Sequence, residues 1–335
     1  MTSGVVARSG LCVDASRGRK CVLSPIYPAI DLYSICDKQE REGGKVDVLY
    51  HYTDAHGLLG LLGSPARPEI WATHFKYLND ASEWVYAQEL LKRVVAERVK
   101  TEEDLLLNDF LHMFLGDFFS EEISDIYVAC FCEKDDVLSQ WRAYAGASGA
   151  YALGFRSDDV ASRGQSEHDP QEPRFKHELF RVVYDETVQR RHLNALIDCA
   201  MKSVKKYAMD AARDSKHAWE VMTHHKSSLT DYIIRRMLAF KHPEFSVEQE
   251  WRLCHQASDE TAHVQYRAGR YGVTPYVCLD ISPTEGPFEG RMPLVSVTCG
   301  PSVNLENSKR AVIAMLESRK FKDVKVTGTT LPLRL

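Results

Sequence analysis

Apolar positions recur with a period of two in many short runs and with a period near 3.6 in several longer ones, interleaved without regular βαβ alternation. That pattern predicts an α+β fold. The clearest unit runs from Asp125 to Phe155. Ile126 to Cys132 is a β-rich apolar run, Asp135 and Asp136 offer N-caps, and Leu138, Trp141 and Ala145 mark one face of a short helix closed by Gly146 and Gly149. The next strand, Ala150 to Phe155, carries Tyr151, Leu153 and Phe155 on one face and only Ala150, Ala152 and Gly154 on the other. So bare a face predicts close approach by a packed helix or by a ligand.

Other elements follow from the same periodicities. Val48 to Thr53 reads as a strand, with Thr53 or Asp54 capping a leucine-rich helix, and Glu69 to Thr73 as a second strand. Asn79, Asp80 and Ser82 start a long amphipathic helix carrying Trp84, Ala87, Leu90, Leu91 and Val94, and Glu103 to Leu115 is helical. Arg156 to His177 is a polar loop, and Glu178 to Tyr184 is a strand. Two long helices, Glu186 to Asp214 and His217 to Phe240, form an inserted helical hairpin. Strands are expected at Val247 to His255, Val264 to Ala268, Thr274 to Ile281, Leu294 to Thr298 and Val324 to Leu333, with a helix over Asn304 to Arg319. Residues 1–45, rich in Ser, Gly, Arg and Pro, read as a loosely attached extension of a single domain over 46–335, with its helical insertion at about 186–240.

Composition narrows the class. The chain has 335 residues, is 44% apolar and 27% charged, and carries a net charge of −5. That balance argues against coating nucleic acid by charge alone. No run approaches the ~18 apolar residues of a membrane span, and Arg8, Asp14, Arg17, Arg19 and Lys20 interrupt any signal-peptide core, so a cytoplasmic protein is expected. Its nine cysteines form no C-x-x-C pair and read as reduced core residues, with no metal site. Walker-type, G-x-G-x-x-G, H-E-x-x-H and G-x-S-x-G motifs are absent, which weakens common nucleotide hydrolase, dehydrogenase, metalloprotease and esterase readings.

Candidate chemistry concentrates in FSVEQEWRLCHQ. On a strand, Glu248, Glu250 and Arg252 share a face, with the two carboxylates about 6 to 7 Å apart. Such a pair suits orienting a sugar hydroxyl and stabilising positive charge at an anomeric carbon, with Arg252 holding one carboxylate ionised. The same pattern also fits a salt-bridge ladder on a strand face. His51, late in its strand, either lines a cleft or hydrogen-bonds a backbone carbonyl. Tyr77 and Asn79 sit at an element end, where binding groups concentrate.

HYTD, IWAT with KYLNDASEW, CFCEKDDVLSQWRAYAGASGAYALGF, EQEWRL and LPLRL together resemble the bacterial domain of unknown function 2971 family, from Val48 to the C-terminus. That family is in turn distantly similar to the ADP-ribosyltransferase fold. The resemblance implies two facing bent β-sheets flanked by helices, NAD as substrate, and transfer of ADP-ribose to a protein or nucleic-acid acceptor, in a toxin or phage-defence setting. It implies that His51, with Tyr52 and Thr53 beside it, holds the NAD ribose and carboxamide. Glu250 would orient the nicotinamide ribose, with Arg252 beside it, and Glu248 would serve the acceptor. Tyr77, Trp141 and Tyr144 compete for the middle aromatic, and Asn79 and Gln140 complete the expected pocket. A nucleotide- or nucleic-acid-binding module without turnover, and a glycosidase-like hydrolase using Glu248 and Glu250, are the alternatives.

Overall fold

The structure, a computed structural model, describes residues 12–13, 20–21, 46–78, 82–118, 125–144, 149–162, 177–211, 233–256, 264–269 and 272–331. The chain divides into two units, Met1–Gly44 and Lys45–Leu335. In the first, β1 (Cys12–Val13) pairs antiparallel with β2 (Lys20–Cys21).

The second unit is built on one mixed sheet of ten strands. In chain order these are β3 (Val48–Asp54), β4 (Glu69–His74), β5 (Ile126–Cys132), β6 (Ala150–Arg156), β7 (Glu178–Arg181), β8 (Glu250–Gln256), β9 (Gln265–Gly269), β10 (Gly272–Asp280), β11 (Leu294–Cys299) and β12 (Lys325–Gly328). The hub is β5, whose run of apolar residues suits a strand covered on both faces. One edge of β5 pairs along its whole length with β8, and β7 lies beyond β8. Its other edge is shared. β3 pairs with it at Cys132, while β4 pairs with it at Tyr127 and Val128. From β3 the sheet continues through β6 and β11 to β12, and from β4 through β10 to β9. Every pairing is antiparallel except β11 with β12.

The expected pair of facing sheets is thus a single hydrogen-bonded sheet that forks at β5. A strand twists relative to its neighbours, so two strands sharing one edge diverge from it, and a gap opens between them.

Around the sheet lie α1 (Ala55–Leu61), α2 (Ser82–Thr101), α3 (Leu105–Phe118), α4 (Leu138–Tyr144), α5 (Ser157–Ser162), α6 (Glu186–Ala211) and α7 (Leu305–Ser318). Asp54 caps α1 by accepting from the Gly57 amide at 2.9 Å, and Asn304 caps α7. The main core joins Leu49, Phe131, Leu153, Phe155, Leu253 and Val297 of the sheet to Leu58 and Leu61 of α1 and Val312 and Leu316 of α7. A smaller cluster joins Tyr52, Cys132, Ala150 and Ala152 to Val137 and Trp141. The bare face of β6 is therefore a packing surface. Trp141 covers its alanines, and a Cβ at Gly154 would meet Ser296 Oγ at 2.3 Å and the Tyr50 ring at 2.9 Å.

Three local expectations are corrected. Asp135 and Asp136 do not cap α4. Asp135 accepts from Thr298, and Asp136 accepts from Trp141 Nε1, both hydroxyls of Thr329 and Thr330, and the Thr330 amide, so these carboxylates tie α4 to the C-terminal strand region. The Val137 amide is satisfied instead by the Tyr52 hydroxyl at 3.1 Å. Secondly, Pro243–Glu248 is a 3₁₀ helix with proline in its first turn, so β8 begins only at Glu250. Thirdly, the final strand is limited to Lys325–Gly328. Of the helical hairpin, α6 and residues 233–237 are helical, and 212–232 lie outside the described residues, as do 332–335 of the LPLRL motif.

Candidate functional site

Between the points where β3 and β4 leave β5 lies Cys130. Its carbonyl oxygen is met by His51 Nδ1 at 2.8 Å. A ring nitrogen facing a carbonyl must carry the hydrogen, so Nδ1 donates and Nε2 holds a lone pair. Desolvation lowers the His51 pKa to about 4 against the carbonyl bond, with Arg267 adding to the lowering, and the imidazole is neutral at pH 7. Local physics explains the placement: a strand carbonyl left without a neighbouring strand needs a donor, and a strand-borne histidine supplies one. The thiol of the same Cys130 has its pKa raised by burial and by the nearby Glu250 carboxylate. β3 and β8 flank β5 on opposite edges, so His51 and Glu250 stand roughly 10 Å apart at the backbone.

Glu250 anchors a buried charge cluster. Its Oε1 accepts from Arg252 Nε at 2.8 Å, and its Oε2 accepts from Lys241 Nζ at 2.9 Å and Arg252 Nη2 at 3.1 Å. Lys241 also meets Glu83 and Glu248, each at 2.7 Å, and Arg252 meets Glu83 and the Leu238 carbonyl. Glu250 is 5% exposed and Arg252 2%. Burial works against each charge, but the surrounding opposite charges outweigh it: Arg252 and Lys241 hold Glu250 down at about 2, and the carboxylates raise Lys241. Glu248 behaves differently. Its pKa is raised by burial, which Lys241 only partly offsets.

The two carboxylates converge because Gln249 between them adopts a left-handed conformation, φ 45°. A strand over Val247 to His255 would have kept them parallel. Bound to one nitrogen, their oxygens are closer than the ~6.5 Å or more that an inverting glycosidase pair requires. With both Glu250 oxygens engaged, only Glu248 retains an oxygen for a reacting group.

Tyr144, at the end of α4, links this cluster to the fork. Burial, then Cys130 and Glu250, raise its hydroxyl pKa, and its charge would be felt by Arg267 on the β9 side. Tyr144 thus lies within electrostatic reach of Cys130, Glu250 and Arg267. Trp141 is 0% exposed with its indole N–H bonded to Asp136 at 2.6 Å, and is a core residue rather than a ligand contact. Tyr52 is likewise buried, its hydroxyl bonded to the Lys134 carbonyl at 2.9 Å, and Thr53 is buried beside Gly57. Tyr77 is 51% exposed and packs edge-on against His74. Gln140 is partly buried on α4, and Asn79 lies outside the described residues.

Sequence reasoning missed Lys241, Glu83, Tyr184 and Arg267. Lys241 follows the apolar end of a helix and Glu83 opens α2, positions that ordinarily face water. Tyr184 OH accepts the Glu250 amide at 2.9 Å, a contact that no spacing announces. A cavity of about 110 Å³ lies beside the cluster, with Phe75, Trp84 and Phe240 opposite Glu83 and Arg252. It is below the ~300 Å³ of an ordinary ligand pocket, so a dinucleotide would not lie inside it.

Among the described residues no helix is long and apolar enough to cross a membrane, and no group of three or more His, Cys, Asp or Glu side chains is placed to hold a metal ion. No curated protein and no solved structure matches the chain. Residues 140–253, which run from within α4 to within β8 and include Tyr144, Lys241, Glu248, Glu250 and Arg252, match the family model described as protein of unknown function (DUF2971), the family that the sequence motifs resemble.

Proposed function

We propose that the protein cleaves NAD at its nicotinamide–ribose bond and transfers ADP-ribose to a nucleophile on a protein or nucleic acid. The observation that carries the reading is the pair Glu248 and Glu250 on one lysine, with pKa values pushed in opposite directions. Environments that separate two neighbouring carboxylates in this way mark distinct roles for them. Permanently ionised, Glu250 contributes fixed negative charge and orients Lys241 and Arg252. Glu248, whose pKa burial raises and whose second oxygen is left for a reacting group, is the carboxylate suited to exchange a proton.

In the reaction the C1′–N bond breaks, nicotinamide leaves with the electron pair, and positive charge grows on the ribose. The acceptor oxygen or nitrogen then bonds to C1′, and its proton passes to Glu248. Neutral His51, with Nδ1 committed to Cys130, offers only an acceptor at Nε2, which suits a ribose hydroxyl. The ADP-ribosyltransferase-like fold and the toxin or phage-defence setting belong to this proposal, supported by the forked sheet and the order of the motifs.

One observation favours a second reading, nucleotide binding without turnover: Glu250 is buried and saturated by Arg252 and Lys241. Incubation of purified protein with NAD and a mixed protein and RNA acceptor pool decides. Free nicotinamide is expected. Binding of NAD with none released would establish the second reading, and no interaction with NAD would end both.

A further inference from the structure

Two arginines sit near this site in contrasting states. Arg252 is matched to two carboxylates. Arg267, on β9, has no carboxylate within ion-pair distance among the described residues. Its guanidinium stands 5.4 Å from the centroids of both the Trp71 and Tyr276 rings, which pack against each other at 5.2 Å. Among the described residues it makes one hydrogen bond, from Nη2 to Thr73 Oγ1 at 2.8 Å. A guanidinium carries five N–H donors in one plane, so four remain. Cation–π contact with two rings fixes its orientation and offsets part of its desolvation, but supplies no partner for those donors.

Position adds the second argument. Thr73 pairs with Val128 on β5, and the carbonyl that holds His51 belongs to Cys130, two residues further along the same strand. At about 3.4 Å per residue, the Arg267 and His51 anchor points are roughly 7 Å apart on opposite lips of the fork. Arg267 lowers the His51 pKa, and Tyr144, itself shifted by burial and then by Cys130 and the charge cluster, acts on Arg267.

We propose that Arg267, oriented by Trp71, Tyr276 and Thr73, is the anion-binding residue of the site and takes a phosphate group of a phosphorylated small molecule. Under the NAD reading, on which the ligand's identity rests, that group is the diphosphate. A planar fork of donors matches phosphate oxygens in pairs, which a lysine ammonium does not.

Calorimetric titration with inorganic pyrophosphate tests the site without any turnover. Wild type is expected to bind, Arg267→Gln to lose on the order of tenfold or more in affinity, and Arg267→Lys to fall between them. Pyrophosphate that fails to bind wild type, or binds Arg267→Gln equally, overturns the proposal. Should Arg267→Gln not fold, Arg267→Lys carries the test, since affinity equal to wild type would remove the need for the fork. Nicotinamide riboside, which lacks the diphosphate, is expected to bind wild type and the variants alike. Arg267-dependent pyrophosphate binding without nicotinamide release from NAD would leave this site standing and remove the transferase reading. Nicotinamide release with the same KM for NAD in Arg267→Gln would do the reverse.

Discussion

His51 and Glu250 meet at the same residue, Cys130: His51 hydrogen-bonds its carbonyl, and the Glu250 carboxylate raises the pKa of its thiol. They are separated by about 200 positions in the chain, and β5 brings them together because β3 and β8 occupy its two edges. The proximity is a property of the sheet order. What each group does there is a separate matter, and variants divide structural from chemical roles.

Glu250→Gln is expected to destabilise the protein. The change keeps shape but removes the charge that Arg252 and Lys241 face in a buried setting, and loss of one partner from such a cluster costs about 3 kcal/mol. Urea denaturation at pH 7 measures it. Unchanged stability would show that Glu83 and Glu248 alone neutralise the two cations.

For Glu248→Gln the pattern should reverse. Lys241 keeps Glu83 and Glu250, so the stability loss is about 1 kcal/mol or less. Nicotinamide release should fall by roughly 10² to 10³ if Glu248 takes the acceptor's proton. Turnover and melting temperature measured side by side for both variants separate the roles, and full turnover in Glu248→Gln would withdraw its assignment.

Acidification supplies a third expectation. The folded pKa values of His51 and His192 are each lowered to about 4, from an ordinary 6.5, with burial as the first cause. Above pH 6.5 both rings are neutral whether folded or unfolded. Between 6.5 and 4 the unfolded chain gains protons that the folded one refuses, so stability falls across that window. Glu250, depressed to about 2 from 4.5, loses its contribution only at lower pH, as pH drops through its folded value. Denaturation at pH 7, 5 and 4 should show the first loss. His51→Asn, whose amide can still donate to the Cys130 carbonyl, should reduce the slope and leave the His192 share.

Asp136→Ala is expected to loosen the C-terminal region without touching the charge cluster. Asp136 accepts from Trp141, Thr329 and Thr330, and its removal leaves a buried indole N–H unpartnered. The expected loss is about 3 kcal/mol. Faster amide exchange at Thr330 than at Leu153 of the sheet core would locate it, and uniform exchange would indicate global unfolding instead.

The element types were legible in the sequence because period two and period 3.6 are local consequences of backbone geometry. The runs at Ile126, Ala150, Leu294 and Asn304 therefore appear as strands and a helix close to where the pattern put them. Residue type and position also singled out Glu248, Glu250 and His51 as candidates. Tertiary structure alone decided the rest. Whether β3 and β4 form separate sheets or share one edge of β5 depends on hydrogen bonds between residues far apart in sequence. The convergence of Glu248 and Glu250 depends on a left-handed Gln249, a residue with no special tendency toward that conformation. Lys241, Glu83 and Arg267 look in sequence like ordinary surface charges. Only packing determines which charges lose their water, and desolvation is what turns a carboxylate, a lysine or a guanidinium into part of a site.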